Sequence, residues 1–144
     1  MKNLSLLILT AIFLTVFGCD ARFKPYSNAT YGFKMKYPKN WEIRENVEGA
    51  TVIFISPRET PLDIYSENLS VVIQDLKGGR IMPLGQYTQE AIYQLTHTLK
   101  NIQVLGSSDL LLSGRAAHKF EYLVKGDLKI KIMHIWTIKD KMTY

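Results

Sequence analysis

The chain has 144 residues and a formal net charge of +5, with one cysteine and no run of five or six basic residues. That length supports one domain with a real core, while charge scattered over the chain excludes a nucleic-acid footprint, which needs Lys and Arg clustered together. The lone cysteine, Cys19, excludes an internal disulfide and a thiolate metal site, so it has to matter by position.

Residues 1–18 open with a positive Lys2, continue in an apolar run from Leu4 to Phe17 and end on Gly18, which is the layout of a secretory signal. The run falls short of the about 20 residues of a membrane-spanning helix. Val16-Phe17-Gly18-Cys19 resembles a bacterial lipobox, although Phe17 stands where a small residue is usual. That resemblance implies a Cys19 thiol carrying a diacylglyceryl group, cleavage before it, and an extracytoplasmic protein anchored to the cytoplasmic membrane or cell envelope. Two or three acyl chains hold stably, since each buried CH₂ adds about 0.8 kcal/mol and one chain is marginal. Asp20 resembles an inner-membrane retention signal of enterobacteria.

From Ala21 to Thr30 the sequence is polar, contains Pro25 and has no period, so residues 19–30 read as lipidated cysteine and tether, with the domain over 31–144. Tyr31, Phe33, Met35 and Tyr37 then alternate with Gly32, Lys34 and Lys36, the pattern of a half-buried strand, before Pro38-Lys39-Asn40 breaks it ahead of Trp41. Val52-Ile53-Phe54-Ile55 is apolar on both faces and predicts a central strand covered on both sides. Pro57 to Ser66, with two prolines and several charges, predicts a surface loop. A further strand spans Asn68 to Leu76, and Lys77-Gly78-Gly79-Arg80 makes a second loop. Tyr87, Ala91, Leu95 and Leu99 fall four apart with Ile92 beside them, which predicts a helix over about Pro83 to Lys100, ended by Asn101 in a left-handed conformation.

Beyond the helix, Ile102 to Leu105 and Asp109 to Leu112 read as strands separated by Gly106-Ser107-Ser108, and Ser113-Gly114 as a turn. Arg115 to Lys139 forms one long hairpin. His118, Phe120, Tyr122 and Val124 share a face of its first arm, and Ile130, Ile132, His134, Trp136 and Ile138 a face of its second, about a turn at Lys125-Gly126-Asp127. Its apolar face needs a cover, which the helix supplies. Met142-Thr143-Tyr144 starts a further strand.

The order Tyr31-Gly32-Phe33-Lys34-Met35-Lys36-Tyr37-Pro38 with Trp41, followed by these strands, the helix and the hairpin, resembles the PsbP-like family, which includes the extrinsic protein of photosystem II and bacterial lipoproteins. The resemblance implies an α+β fold, a central antiparallel sheet with helices packed on its faces in an αβα sandwich. Related proteins continue past Tyr144 with a strand and usually a closing helix, so the expected domain is either truncated or left with an unfinished sheet edge. The resemblance implies no catalytic residue. Calcium, and an accessory role in the oxygen-evolving complex in a photosynthetic host, are implied by resemblance alone.

The residues add little chemistry of their own. His97, His118 and His134 read as core or boundary residues, with His118 and His134 able to meet across the hairpin. Asp63, Asp75, Asp109, Asp127 and Asp140 are scattered singles and make no calcium loop. No Gly-x-Ser-x-Gly elbow exists, and Gly78-Gly79-Arg80 lacks the lysine of a phosphate loop. The candidate surface contacts are Lys34 and Lys36 on the first strand, Lys129 and Lys131 on the hairpin, and Arg58 and Arg80 in the loops. The resulting expectation is a non-enzymatic membrane-anchored binding or assembly module, with a protein partner, no nucleic acid and no metal. The alternative is a small-ligand carrier or sensor with its ligand between sheet and helix.

Overall fold

The computed structural model describes residues 22–76 and 82–144. The chain divides into two compact units, one up to Lys39 and one from Asn40. The first is a hairpin of β1 (Phe23–Asn28) and β2 (Phe33–Pro38), paired antiparallel from Phe23 opposite Pro38 to Asn28 opposite Phe33. The turn is held at Asn28, whose carbonyl accepts from the Gly32 amide (2.9 Å) and whose side-chain Oδ1 accepts from the Tyr31 amide (3.0 Å). Phe23 to Asn28, expected to be irregular, is therefore a strand. Pro25 is compatible with that position because β1 is an edge, where a missing amide breaks no ladder.

The second unit holds two sheets. β3 (Glu42–Val47), β4 (Ala50–Ile55) and β5 (Asn68–Val71) form a three-stranded antiparallel sheet with β4 in the centre. Val52 and Phe54 are fully buried on one face of β4, while Ile53 and Ile55 on the other are half-buried, so the strand is central but completely covered on one side only. β6 (Gln74–Asp75), β7 (Ile102–Leu112), β8 (Arg115–Lys125), β9 (Lys129–Lys139) and β10 (Met142–Thr143) form the second sheet, in the order β6-β10-β9-β8-β7. The stretch expected as one strand over Asn68 to Leu76 is thus split at Val72-Ile73 between the two sheets. β10 lies between β9 and β6 and is not the sheet's edge.

β7 runs unbroken through Gly106-Ser107-Ser108, where a break was expected, because a bulge between Val104 and Gly106 absorbs one residue and restores the pairing with β8. Two-residue turns at Glu48-Gly49, Ser113-Gly114 and Asp140-Lys141 have positive φ at both positions, the twist that matches flanking strands.

The helix α1 (Leu84–Thr98) begins after Pro83 and ends before Asn101, which has φ 61° and accepts the Lys125 amide at its carbonyl (2.9 Å). Its apolar stripe of Leu84, Tyr87, Ala91, Ile92, Leu95 and Leu99 packs on buried Phe120, Tyr122 and Trp136. The Trp136 indole N–H donates to Thr88 Oγ1 (2.8 Å) and fixes the helix on the sheet. The αβα sandwich implied by the resemblance does not form. Among the described residues α1 is the one helix against ten strands in three sheets, and it covers one face of one sheet, so the chain is mostly β. The additional helices were implied by the family resemblance alone, and the apolar residues outside α1 alternate with a period of two and build strands.

Candidate contact surfaces

β4 and β5 are joined by residues 57–67, and the base of this loop is clamped twice. The Ser56 amide donates to the Glu67 carbonyl and the Ser56 hydroxyl to Glu67 Oε2, both at 2.8 Å. Within it, Asp63 acts as a brace. Its amide donates to the Thr60 carbonyl (3.1 Å), and its two carboxylate oxygens accept from the amides of Glu59 and Tyr65, each at 3.2 Å. A loop of this length usually turns its apolar side chains inward. Here the brace holds Leu62 and Ile64 outward, 89% and 73% exposed. Arg58, a candidate from the sequence, is exposed in the same loop, whereas Arg80 and Cys19 lie outside the described residues.

Lys34 and Lys36 are exposed on one face of the first hairpin. Lys129 and Lys131 are exposed on β9, but Lys131 is committed to Glu121, which it shares with Lys119 at 3.2 and 3.1 Å. Hydrogen bonds from Lys119 and then Lys131 hold the Glu121 carboxyl below its usual range.

His118 and His134 do not converge. The register puts His118 opposite Trp136 and His134 opposite Phe120, and each ring takes a separate partner. Burial lowers the pKa of His134 and raises that of Tyr122, whose hydroxyl shares a 3.1 Å hydrogen bond with His134 Nε2, the rings stacked. His97 lies exposed on α1, bonded to the Tyr93 carbonyl at 2.8 Å. Among the described residues no three His, Cys, Asp or Glu side chains come together as a metal site.

One arrangement was not anticipated from sequence. Cross-strand pairing of β7 with β8 sets Asp109 opposite His118 and Ser107 two residues away on the same face. Because a carboxylate only accepts, His118 Nδ1–H donates to Asp109 Oδ1 (2.6 Å), and Nε2 shares a hydrogen bond with Ser107 Oγ (2.9 Å). The bond order is that of a nucleophilic triad, but its setting is different. The Asp109 side chain is 90% exposed, so water screens its charge, and Trp136 stacks on the imidazole. Ser107 sits within a continuous strand, without the sharp turn that lifts a nucleophile beside oxyanion donors. It is a cross-strand clasp that satisfies a buried imidazole. Counting back from the Ser113-Gly114 turn gives this register, but the break expected at Gly106-Ser107-Ser108 took Ser107 out of the strand.

Phe120, Tyr122 and Trp136 are covered by the side chains of α1, so the space expected to hold a ligand is occupied by protein. An open depression of about 430 Å³ lies elsewhere, on the three-stranded sheet, lined by Arg44, Val47, Glu48, Ile53, Ile55 and Asn68.

A family model described as PsbP matches residues 21–138. Among solved structures the chain is similar to the solution structure of cyanobacterial PsbP (CyanoP) from Synechocystis sp. PCC 6803. That match has 18% identity and a TM-score of 0.59 over 85% of this chain and 76% of the other. It is also similar to the crystal structure of PA94, a protein of unknown function from Pseudomonas aeruginosa, at 16% identity and a TM-score of 0.51 over 85% and 78% of the two chains. No curated protein matches.

Proposed function

The chain belongs to the PsbP family, and on that premise we propose that it is a non-enzymatic binding or assembly module, lipid-anchored through Cys19 on the outer side of a bacterial cytoplasmic membrane or in the cell envelope. The observation that carries this reading is the braced loop at residues 57–67. Two large apolar side chains held outward on a preorganised turn offer contact area at little further entropic cost, which is how a protein partner is engaged. The filled space under α1 favours this module over a carrier whose ligand lies between sheet and helix.

The test is affinity capture after crosslinking on the protein's own membranes, with mass spectrometry of proteins and small molecules in the eluate. A stoichiometric partner protein that disappears with Leu62→Ser/Ile64→Ser is the expected result. A retained small molecule without a partner would replace the module with a carrier. The anchor is tested separately. Cys19→Ser should shift the protein from membrane to soluble or uncleaved material, and an unchanged mature mass and membrane residence would refute lipidation.

A further inference from the structure

The net charge of the chain is confined to one element. Between Arg22 and Lys39 stand five basic side chains, Arg22, Lys24, Lys34, Lys36 and Lys39, and no acidic one. Lys2 and Asp20 cancel, and residues 40–144 carry twelve basic against twelve acidic side chains, so the +5 of the whole chain is the +5 of the β1–β2 hairpin. In the second unit Lys119 and Lys131 pair with Glu121, and Lys139 lies 4.0 Å from Asp140. Lys24, Lys34, Lys36 and Lys39 have no ion-pair partner among the described residues.

The register sorts the hairpin into two faces. Tyr26, Phe33, Met35 and Tyr37 share one, partly or fully buried. Lys34 opposite Ser27, Lys36 opposite Pro25, and Phe23 opposite Pro38 share the other, with Phe23 42% exposed. Two unneutralised lysines and an open aromatic ring on one face match a bilayer interface, where phosphates take the charge and the headgroup boundary takes the ring. We propose that this hairpin face docks on an anionic phospholipid bilayer. Resting here on the Cys19 anchor, the geometry brings it there. Phe23 stands four residues after Cys19, at most about 14 Å of chain, so an acylated cysteine starts the hairpin close to the headgroups. The basic face then supplies the second signal that acyl anchors need for stable residence.

The test uses the full chain carrying Cys19→Ser, which removes acylation from the measurement, and co-sedimentation with vesicles of phosphatidylcholine alone or of phosphatidylcholine and phosphatidylglycerol mixed three to one. The comparison between vesicles cancels the apolar leader. The parent should prefer the anionic vesicles, the preference fading as salt rises. Lys34→Gln/Lys36→Gln should reduce it about thirtyfold, since each lysine near the surface is worth on the order of 1 kcal/mol. Lys129→Gln/Lys131→Gln makes the same change in charge outside the hairpin and should leave it intact. Circular dichroism confirms that both variants fold. Equal binding to the two vesicles would overturn the proposal, as would an equal loss in both double variants. Binding to soluble polyglutamate without binding to vesicles would replace the bilayer with an acidic protein. Lipidation itself is read from the mature mass, so failure of the anchor and failure of the docking face are separate results.

Discussion

Burial decides the protonation of His134. Its pKa is lowered by burial, so the folded protein favours a neutral imidazole, hydrogen-bonded through Nε2 to the Tyr122 hydroxyl, while the unfolded chain titrates near the ordinary value of about 6.5. Below that value the unfolded state binds more protons, and stability therefore rises with pH through this window and is lost as pH falls. Thermal melts should show a lower midpoint at pH 5 than at pH 7.5, and His134→Gln should flatten that part of the profile. An unchanged slope in the variant would assign the acid sensitivity to another group. Trp136 gives a second residue-scale test. Thr88→Val removes the acceptor of a buried indole N–H and should cost about 1–3 kcal/mol, read as a lower urea midpoint at unchanged slope. The alternation of the hairpin already placed both His134 and Trp136 on the covered face. It could not pair them with Tyr122 and Thr88, because a period of two gives the face and not the partner.

At the scale of elements, turns and helix respond in opposite directions to the same chemical change. Gly114 has φ 77° with nothing within 4 Å of an added Cβ, so Gly114→Ala meets only backbone strain and should destabilise by about 1 kcal/mol. Gly85 also has open space but lies in the first turn of α1, where Gly85→Ala restricts the unfolded chain and should stabilise by up to about 1 kcal/mol. Chemical denaturation of the two variants checks the sign, and a loss at both would mean that Gly85 is not in a helical conformation. Most elements were legible, namely the four-residue spacing of α1, the two arms of the hairpin, the Ser113-Gly114 turn and the clamped loop at Pro57 to Ser66. The layer arrangement was not, because it was inferred from the family resemblance, while the polar Phe23 to Asn28 stretch and the bulged β7 carry no clean period. Pairing partners supply those strands with order that their own sequence does not announce.

At the scale of the whole molecule, the charge of the hairpin also bears on how the chain tolerates its own sheet edge. β7 is an edge strand of eleven residues with Asp109 as its one charge, and Leu111 is 71% exposed on it beside exposed Val104 and Leu105. Edges of this kind pair with other chains unless a bulge, a charge or a proline interrupts them. Here the bulge protects only the Val104 end, and the Leu110-Leu111-Leu112 end has no such guard. What remains is mutual repulsion between copies, and with residues 40–144 balanced in charge that repulsion comes from the hairpin. Lys34→Glu/Lys36→Glu moves the formal charge by −4, from +5 to +1, and should raise light scattering at a fixed protein concentration, most strongly as salt screens the remaining charge. Adding Leu111→Lys to that variant places a like charge on the unguarded edge and should return scattering toward the parent's level. If the added lysine changed nothing, association would run through another surface, and the braced loop with Leu62 and Ile64 would be the next to test by Leu62→Ser/Ile64→Ser.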